Sequence, residues 1–288
     1  MEKIKQYGKI IFLASCAVLA ALVWYAALYA EAHRNLNVSF FDVGQGDTIF
    51  IESPDRTQIL IDGGPGNAIL AKLGRAMPFW DRSLDLVILT HAHADHVSGL
   101  VEVLKRYRVD RILESGEAYG TPEYAEWRRL AQEKNIPVTV AHAGQEIRAG
   151  ALVIAVLSPF ENKSGVSLKN PHDANVSTKL IYGGTSALLM GDAEKMIEYR
   201  LVYERSESLR SDVLKVGHHG SKTSSSQEFL AAVSPKIAII QAGRKNRYGH
   251  PTQEVLDRIS AAGAAIFRTD LDGDIAFASN GIQYWIER

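Results

Sequence analysis

Three imidazoles and a carboxylate fall within six positions in His91-Ala92-His93-Ala94-Asp95-His96, directly after the apolar run Leu86-Val87-Ile88-Leu89-Thr90. Neutral imidazole and carboxylate oxygen are the ligands that suit zinc and neighbouring first-row metals. In an extended segment His91 and His93 point to the same side, so they can grip one ion together. Asp95 and His96 fall where the chain turns into the helix-like run 97–107, so they face a displaced point that suits a second ion. Far downstream, Asp192 lies between Gly191 and Ala193, small neighbours that allow close approach. Its two carboxylate oxygens make it the candidate bridge between two cations. The adjacent pair His218-His219 ends another strand, and adjacent residues there point in different directions. One of the pair is expected to bind metal and the other to face substrate.

The elements that must position these groups read as a mixed α/β pattern. Strands are expected over residues 37–42, 48–52 and 58–62, then a short helix over 67–77 and a strand over 85–90 that is apolar throughout and buried on both faces. Helix 97–107, strand 109–114, helix 123–134 and strands 138–141 and 151–157 follow. Residues 161–174 are polar without periodicity and read as an exposed loop. Strands 176–182 and 186–190, helix 194–203 and strand 212–216 then lead to His218-His219. The last third alternates helix 227–233, strand 237–241, helix 252–262 and strands 265–268, 274–278 and 283–287. The ligand-type residues sit at the carboxyl ends of strands, where α/β sheets bind ligands. A two-sheet sandwich with helices on both outer faces fits this order, as one domain over residues 37–288.

The 288-residue chain has 46% apolar and 23% charged residues and a formal net charge of −1, an ordinary globular composition without the basic excess of a nucleic-acid binder. Residues 10–30 are almost wholly apolar, long enough for a membrane-spanning helix, and Lys3, Lys5 and Lys9 precede them. The positive-inside rule keeps residues 1–9 in the cytoplasm, makes 10–30 a single-pass signal anchor and 31–36 a linker, and puts the large domain outside the cell membrane. Ala30-Glu31-Ala32 has the form of a signal-peptidase site, but a cleaved signal carries a shorter apolar run of roughly 7 to 15 residues. Cys16 is the single cysteine and lies in the expected span, so the metal ligands must be nitrogen and oxygen.

Phe41-Asp42-Val43-Gly44-Gln45-Gly46-Asp47, Ile59-Leu60-Ile61-Asp62-Gly63-Gly64, the His-rich loop, Leu188-Leu189-Met190-Gly191-Asp192-Ala193-Glu194, Leu214-Lys215-Val216-Gly217-His218-His219-Gly220-Ser221 and Tyr248-Gly249-His250-Pro251 occur in that order. Together they resemble the metallo-β-lactamase superfamily, and more narrowly the C-terminal soluble hydrolase domain of the ComEC family of competence DNA-uptake proteins. The resemblance implies an αββα sandwich in which His91 and His93 hold one metal, Asp95 and His96 the other, Asp192 bridges, His219 completes the second site and His218 lies next to substrate. Asn175 stands where many members have a third histidine on the first metal. His172 is an alternative ligand there, although a histidine in a polar loop is more often solvated. Asp62 and Asp47 are expected to orient ligands or hold loops. With one expected span and no polytopic region, only the hydrolase part of the resemblance carries over.

Two divalent cations, zinc or alternatively manganese, about 3.5 to 4 Å apart would supply a shared hydroxide at neutral pH and stabilise attacking and leaving oxygens. Asp95 counts among the catalytic groups as well as the ligands. Lys215, His218 and His250 are expected to stabilise phosphoryl charge or protonate the leaving oxygen. Arg247, in the basic run 244–247, and Ser221 complete the set of substrate-contacting or supporting residues. The expected function is a membrane-anchored, extracytoplasmic phosphodiesterase or nuclease acting on DNA, in association with DNA-uptake machinery. The alternatives are a cell-envelope phosphodiester hydrolase of the phosphorylcholine-esterase kind, or a non-catalytic accessory to DNA uptake. No residue supports β-lactam hydrolysis.

Overall fold

The computed structural model describes residues 2–32 and 34–287, with side chains described at 7, 9, 12–25 and 34–287. They fall into two units, one up to residue 35 and one from residue 36. In the first, Glu2–Ala32 is a single helix. Among the described residues no helix is long and apolar enough to cross a membrane. The span expected over 10–30 includes positions 10, 11 and 26–30, whose side chains lie outside the described residues.

The second unit contains two large sheets. The eight-stranded sheet runs Tyr284–Glu287, Ile275–Ser279, Leu36–Phe40, Ile49–Glu52, Gln58–Ile61, Leu86–Leu89, Ile112–Glu114, Val138–Val140. It is antiparallel as far as Gln58–Ile61 and parallel from there on. The seven-stranded sheet runs Ala265–Arg268, Ile237–Ile240, Val213–Lys215, Thr185–Leu189, Thr178–Tyr182, Leu152–Val156, Glu146–Ala149. Its first four strands are parallel and the rest antiparallel.

Strand periodicity divides the apolar side chains between layers. Along Leu86–Leu89, Leu86 and Ile88 enter the core between the sheets, while Val87 and Leu89 pack outward. Helices Ala68–Ala76, Ala94–Arg106 and Pro122–Glu133 cover that outward side through Leu73, Leu100, Leu104 and the fully buried Trp127. The indole of Trp127 donates to Glu114 Oε2 at 2.7 Å, which satisfies the one polar atom it buries. Helices Lys195–Leu209, Gln227–Val233 and Gln253–Ala261 cover the other sheet through Leu201, Phe229 and Ile259. The result is the expected helix–sheet–sheet–helix sandwich.

Some details differ from the sequence expectation. The strand expected over 109–114 divides into Arg108–Val109 and Ile112–Glu114, the first pairing with Ser83–Leu84 in a small separate ladder. Strand Glu146–Ala149 and the one-turn helix Thr269–Asp272 had no periodic signal, being too short to show one. Residues 161–174 are irregular but end in a 3₁₀ turn, Pro171–Ala174.

One close approach fixes the His-rich loop. Gly63 N donates to His96 O at 2.8 Å and Gly99 N to Gly64 O at 2.9 Å, clamping the first turns of helix Ala94–Arg106 onto the end of strand Gln58–Ile61. A Cβ on Gly99 would lie 1.9 Å from Gly63 O, so only glycine permits the contact. Asp95 and His96 are thereby held at the carboxyl edge of the sheet.

Candidate metal centre

Five parallel-strand ends converge on that edge. Asp62 follows Gln58–Ile61, His91 follows Leu86–Leu89, Asp192 follows Thr185–Leu189, His218-His219 follow Val213–Lys215, and Gln241 follows Ile237–Ile240. The resulting cavity of ≈ 200 Å³ is lined by Gln45, His93, Asp95, His172, Asp192, His218, His219, Tyr248 and His250.

Two ligand groups share this cavity edge. His91, His93, His172 and Asp192 offer donor atoms all within 4.8 Å of one another, and so do Asp95, His96 and His219. Ligands at 2.0–2.1 Å from a tetrahedral ion lie about 3.4 Å apart. Here His96 Nε2 is 3.4 Å and His91 Nε2 3.7 Å from Asp192 Oδ2, His219 Nε2 is 3.5 Å from Asp192 Oδ1, and His219 Nε2 is 3.4 Å from Asp95 Oδ2. Asp192 therefore touches both groups, with Oδ2 between His91 and His96 and Oδ1 toward His219, so its carboxylate is placed to bridge them.

The residues fit a metal pair on a second ground, the orphaned donors. Among the described residues, the buried atoms His96 Nε2, His219 Nε2, His172 Nδ1 and Asp192 Oδ1 have no hydrogen-bond partner. Four such atoms in one place would be costly unless a cation takes their lone pairs.

Each ligand is oriented from behind. His96 Nδ1 donates to Asp62 Oδ2 at 2.7 Å, and Asp62 is fixed in turn by Thr90, whose N–H and hydroxyl donate to it at 2.8 and 2.7 Å. The same hydroxyl accepts from His91 Nδ1 at 3.1 Å. His219 Nδ1 donates to the Gln241 carbonyl at 2.9 Å. In all three rings this leaves Nε2 toward the cavity, which is how outer groups set the tautomer of a metal ligand. His218 and His219 both have positive φ, 48° and 54°. Two consecutive strained residues turn their adjacent rings into one site, a geometry that a regular strand end does not give.

Charge is distributed to match. Burial alone would raise the Asp192 carboxyl and depress His219. Their mutual attraction outweighs this, holding Asp192 well below the usual range and lifting His219 to about 10. Asp95 is likewise drawn to about 2, burial being overcome mainly by His96. His91 goes the other way: burial pushes its imidazole well below the ordinary value, with His96 adding to the effect. Burial also brings His172 to about 4. In the metal-free site, protons on His96 and His219 thus do the neutralising that cations would do.

The other expected residues divide into those that reach the cavity and those that support it. His218 reaches it, with Nε2 3.7 Å from Asp192 Oδ2 and Nδ1 3.3 Å from Glu194 Oε1. His250 reaches it too, and burial holds its imidazole near about 4. Arg247 is exposed at the rim and donates to the Tyr248 hydroxyl at 2.9 Å. Asn175 is no ligand: its Nδ2 donates to Met190 O and Ser177 Oγ, and its Oδ1 accepts from Asp192 N at 2.8 Å, so it seats the bridging carboxylate. The third histidine of the first group is His172, which the 3₁₀ turn Pro171–Ala174 brings over His91 and His93, with ring centroids 5.2 and 4.7 Å away. The expectation of a solvated His172 is corrected on this point.

Lys215 is also corrected. Its side chain is fully buried, paired with Asp47 Oδ2 and donating to Gly191 O at 3.0 Å, so it does not face substrate. Val213 points between the sheets and Leu214 outward, so Lys215 alternates back to the inner side and ties the sheets together beneath the site. Asp47 holds Lys215 with one oxygen and lies 3.3 Å from His219 Nδ1 with the other. Ser221 is buried and its N–H donates to His218 O at 2.8 Å, stabilising the histidine turn without reaching the cavity. Sequence reasoning missed Thr90, Glu194 and Gln241 as supports. A backbone carbonyl such as that of Gln241 has no residue-type signal, whereas Thr90 beside His91 had one.

Comparison with known proteins bears on the family to which the chain belongs. Residues 41–244 match the metallo-beta-lactamase superfamily. The chain is 32% identical over 282 residues to ComE operon protein 3 of Bacillus subtilis, covering 91% of this chain and 35% of that protein. It is 32% identical over 264 residues to competence protein ComA of Neisseria gonorrhoeae, covering 90% of this chain and 34% of that one. It thus spans about a third of the length of these relatives. Among solved structures, the metallo-beta-lactamase fold protein YhfI from Bacillus subtilis superposes with a TM-score of 0.57 at 14% identity, over 85% of this chain and 100% of that one. The converging strand ends, the paired ligand groups around Asp192 and these matches have one common reading: the chain belongs to the metallo-beta-lactamase superfamily.

Proposed function

We propose that this metal-dependent hydrolase cleaves phosphodiesters, with DNA as substrate. The observation that carries the reading is the pair of ligand groups sharing Asp192, with His218 and His250 facing the same cavity. Two bound divalent cations, zinc or manganese, would make a shared water nucleophilic near neutral pH and neutralise phosphoryl oxygens. His91, His93 and His172 would hold one and Asp95, His96 and His219 the other.

The remaining chemistry belongs to the protein. Glu194, 3.3 Å from His218 Nδ1, orients that ring with Nε2 on the cavity side. Nε2 of His218 is placed to act as the proton donor to the leaving oxygen. His250, kept neutral by burial, offers an uncharged imidazole across the cavity. Tyr248 and Arg247 at the rim supply a ring face and a cation for the flanking strand.

Similarity to competence proteins supports DNA as substrate and a place beside DNA-uptake machinery. The same reading puts the domain outside the cell membrane on a single-pass anchor. The exposed apolar side chains of Glu2–Ala32, including Phe12, Leu13, Leu19, Leu22 and Trp24, support that anchor.

The test uses the full chain in detergent with zinc or manganese and labelled single- and double-stranded DNA. Cleavage at least a hundredfold above a His91→Ala, Asp192→Ala double variant is expected. Equal rates for the two proteins would remove the phosphodiesterase reading.

A further inference from the structure

A second cavity of ≈ 540 Å³ adjoins the metal centre. Its walls come from the loop 116–120, helix Pro122–Glu133 and residues 164–165. They are tied by backbone bonds, Gly165 N to Gly116 O at 2.8 Å and Ala118 N to Val166 O at 2.9 Å, so the cavity is built in rather than a gap between mobile loops. Its volume lies in the range of small-molecule sites.

Three side chains give it chemical character. Tyr119 is half-buried, and its ring stands 5.5 Å from that of His93, which lines the metal cavity; the phenol ring thus forms the partition between the two cavities. Glu117 is only 2% exposed and lines the second cavity. Its Oε1 accepts from Ala92 N at 3.1 Å, while among the described residues its Oε2 has no hydrogen-bond partner. Arg128 stands at the mouth, already paired with Glu114. A buried acceptor without a donor is costly unless a ligand supplies one.

We propose that this cavity is a nucleobase subsite, a reading that rests on phosphodiester substrates at the metal centre. With the phosphate over His91 and His93, the neighbouring nucleoside reaches past Tyr119. Its base lies against that ring, and a ring or exocyclic N–H donates to Glu117 Oε2. Stacking of a base on an aromatic ring tolerates sequence variation, because every base has a π-face. The carboxyl oxygen adds a preference for bases that present an amino group, as acidic side chains do with the cytosine amine.

The test is a ratio, so that damage to the metal centre cancels. Calorimetry of the manganese-loaded full chain in detergent compares deoxycytidine 5′-monophosphate with inorganic phosphate. The nucleotide is expected to bind at least tenfold more tightly. Tyr119→Ala is expected to cut that ratio about tenfold, and Glu117→Gln, which keeps an acceptor for Ala92 but puts an NH₂ at the cavity, to cut it severalfold. A wild-type ratio near one, or a ratio unmoved by both substitutions, overturns the subsite. Nucleotide preference with Tyr119 dependence but no DNA cleavage would sink the phosphodiesterase reading and leave the subsite standing.

Discussion

At the scale of single residues, the centre depends on groups that never touch a metal. Asp62 fixes His96 through Nδ1 at 2.7 Å. Asp62→Asn keeps an acceptor for Thr90 but removes the carboxylate, and supporting groups of this kind are typically worth 10–100-fold in metal affinity. We expect a loss of that size in zinc affinity, read by competition with a chromophoric chelator; an unchanged affinity would deny Asp62 its role. The protonation of His219 gives a second prediction. Its folded value of about 10 lies above the ordinary 6.5, so its contribution to metal-free stability is complete below pH 6.5 and is lost as pH rises toward 10. His91 and His172, depressed by burial, act only below that window. The metal-free protein should therefore lose at least about 3 °C of melting temperature between pH 7 and pH 9.5, the change that roughly 1 kcal/mol makes in a domain of this size. A flat profile would contradict the charge arrangement. Residue types revealed most of these ligands, because histidines spaced two apart after a buried strand admit few other uses. Residue type could not reveal that His172 joins them, since the loop before it has no periodicity and its position depends on a 3₁₀ turn and on Asn175.

At the scale of elements, strand ends deliver the ligands and helix Ala94–Arg106 aims two of them. The strands were legible from alternation and apolar runs, and the helix from its spacing. What alternation could not say was which strand face lies between the sheets. That is why Lys215, on a strand buried on both sides, was expected in the cavity and is found bridging the sheets to Asp47. The Gly63–Gly99 contact was equally hidden, because it joins turns distant in sequence. Gly99→Ala puts a Cβ 1.9 Å from a carbonyl oxygen, so either the helix or the turn must move. Overpacking of this sort costs about 1–3 kcal/mol. Urea unfolding should show that loss together with weaker metal binding, since Asp95 and His96 ride on the same helix. A stable variant with intact metal affinity would show that the clamp does not position them.

At the scale of the whole molecule, two sheets with parallel halves bring ligands from residues 91 to 219 to one edge. The order of motifs in the chain conveyed this architecture well, because each ligand group follows an apolar strand. The chain covers about a third of its competence-protein relatives, so the activity of those whole proteins is a separate question from the chemistry of this domain. The proposed chemistry requires that this edge hold two cations joined by Asp192. Equilibrium dialysis of the full chain against zinc, with metal and protein quantified on the same sample, tests it most directly. Two ions per chain are expected in the wild type and no more than one in His172→Ala. One ion in the wild type, or two still held tightly by the variant, would contradict the paired centre as built here.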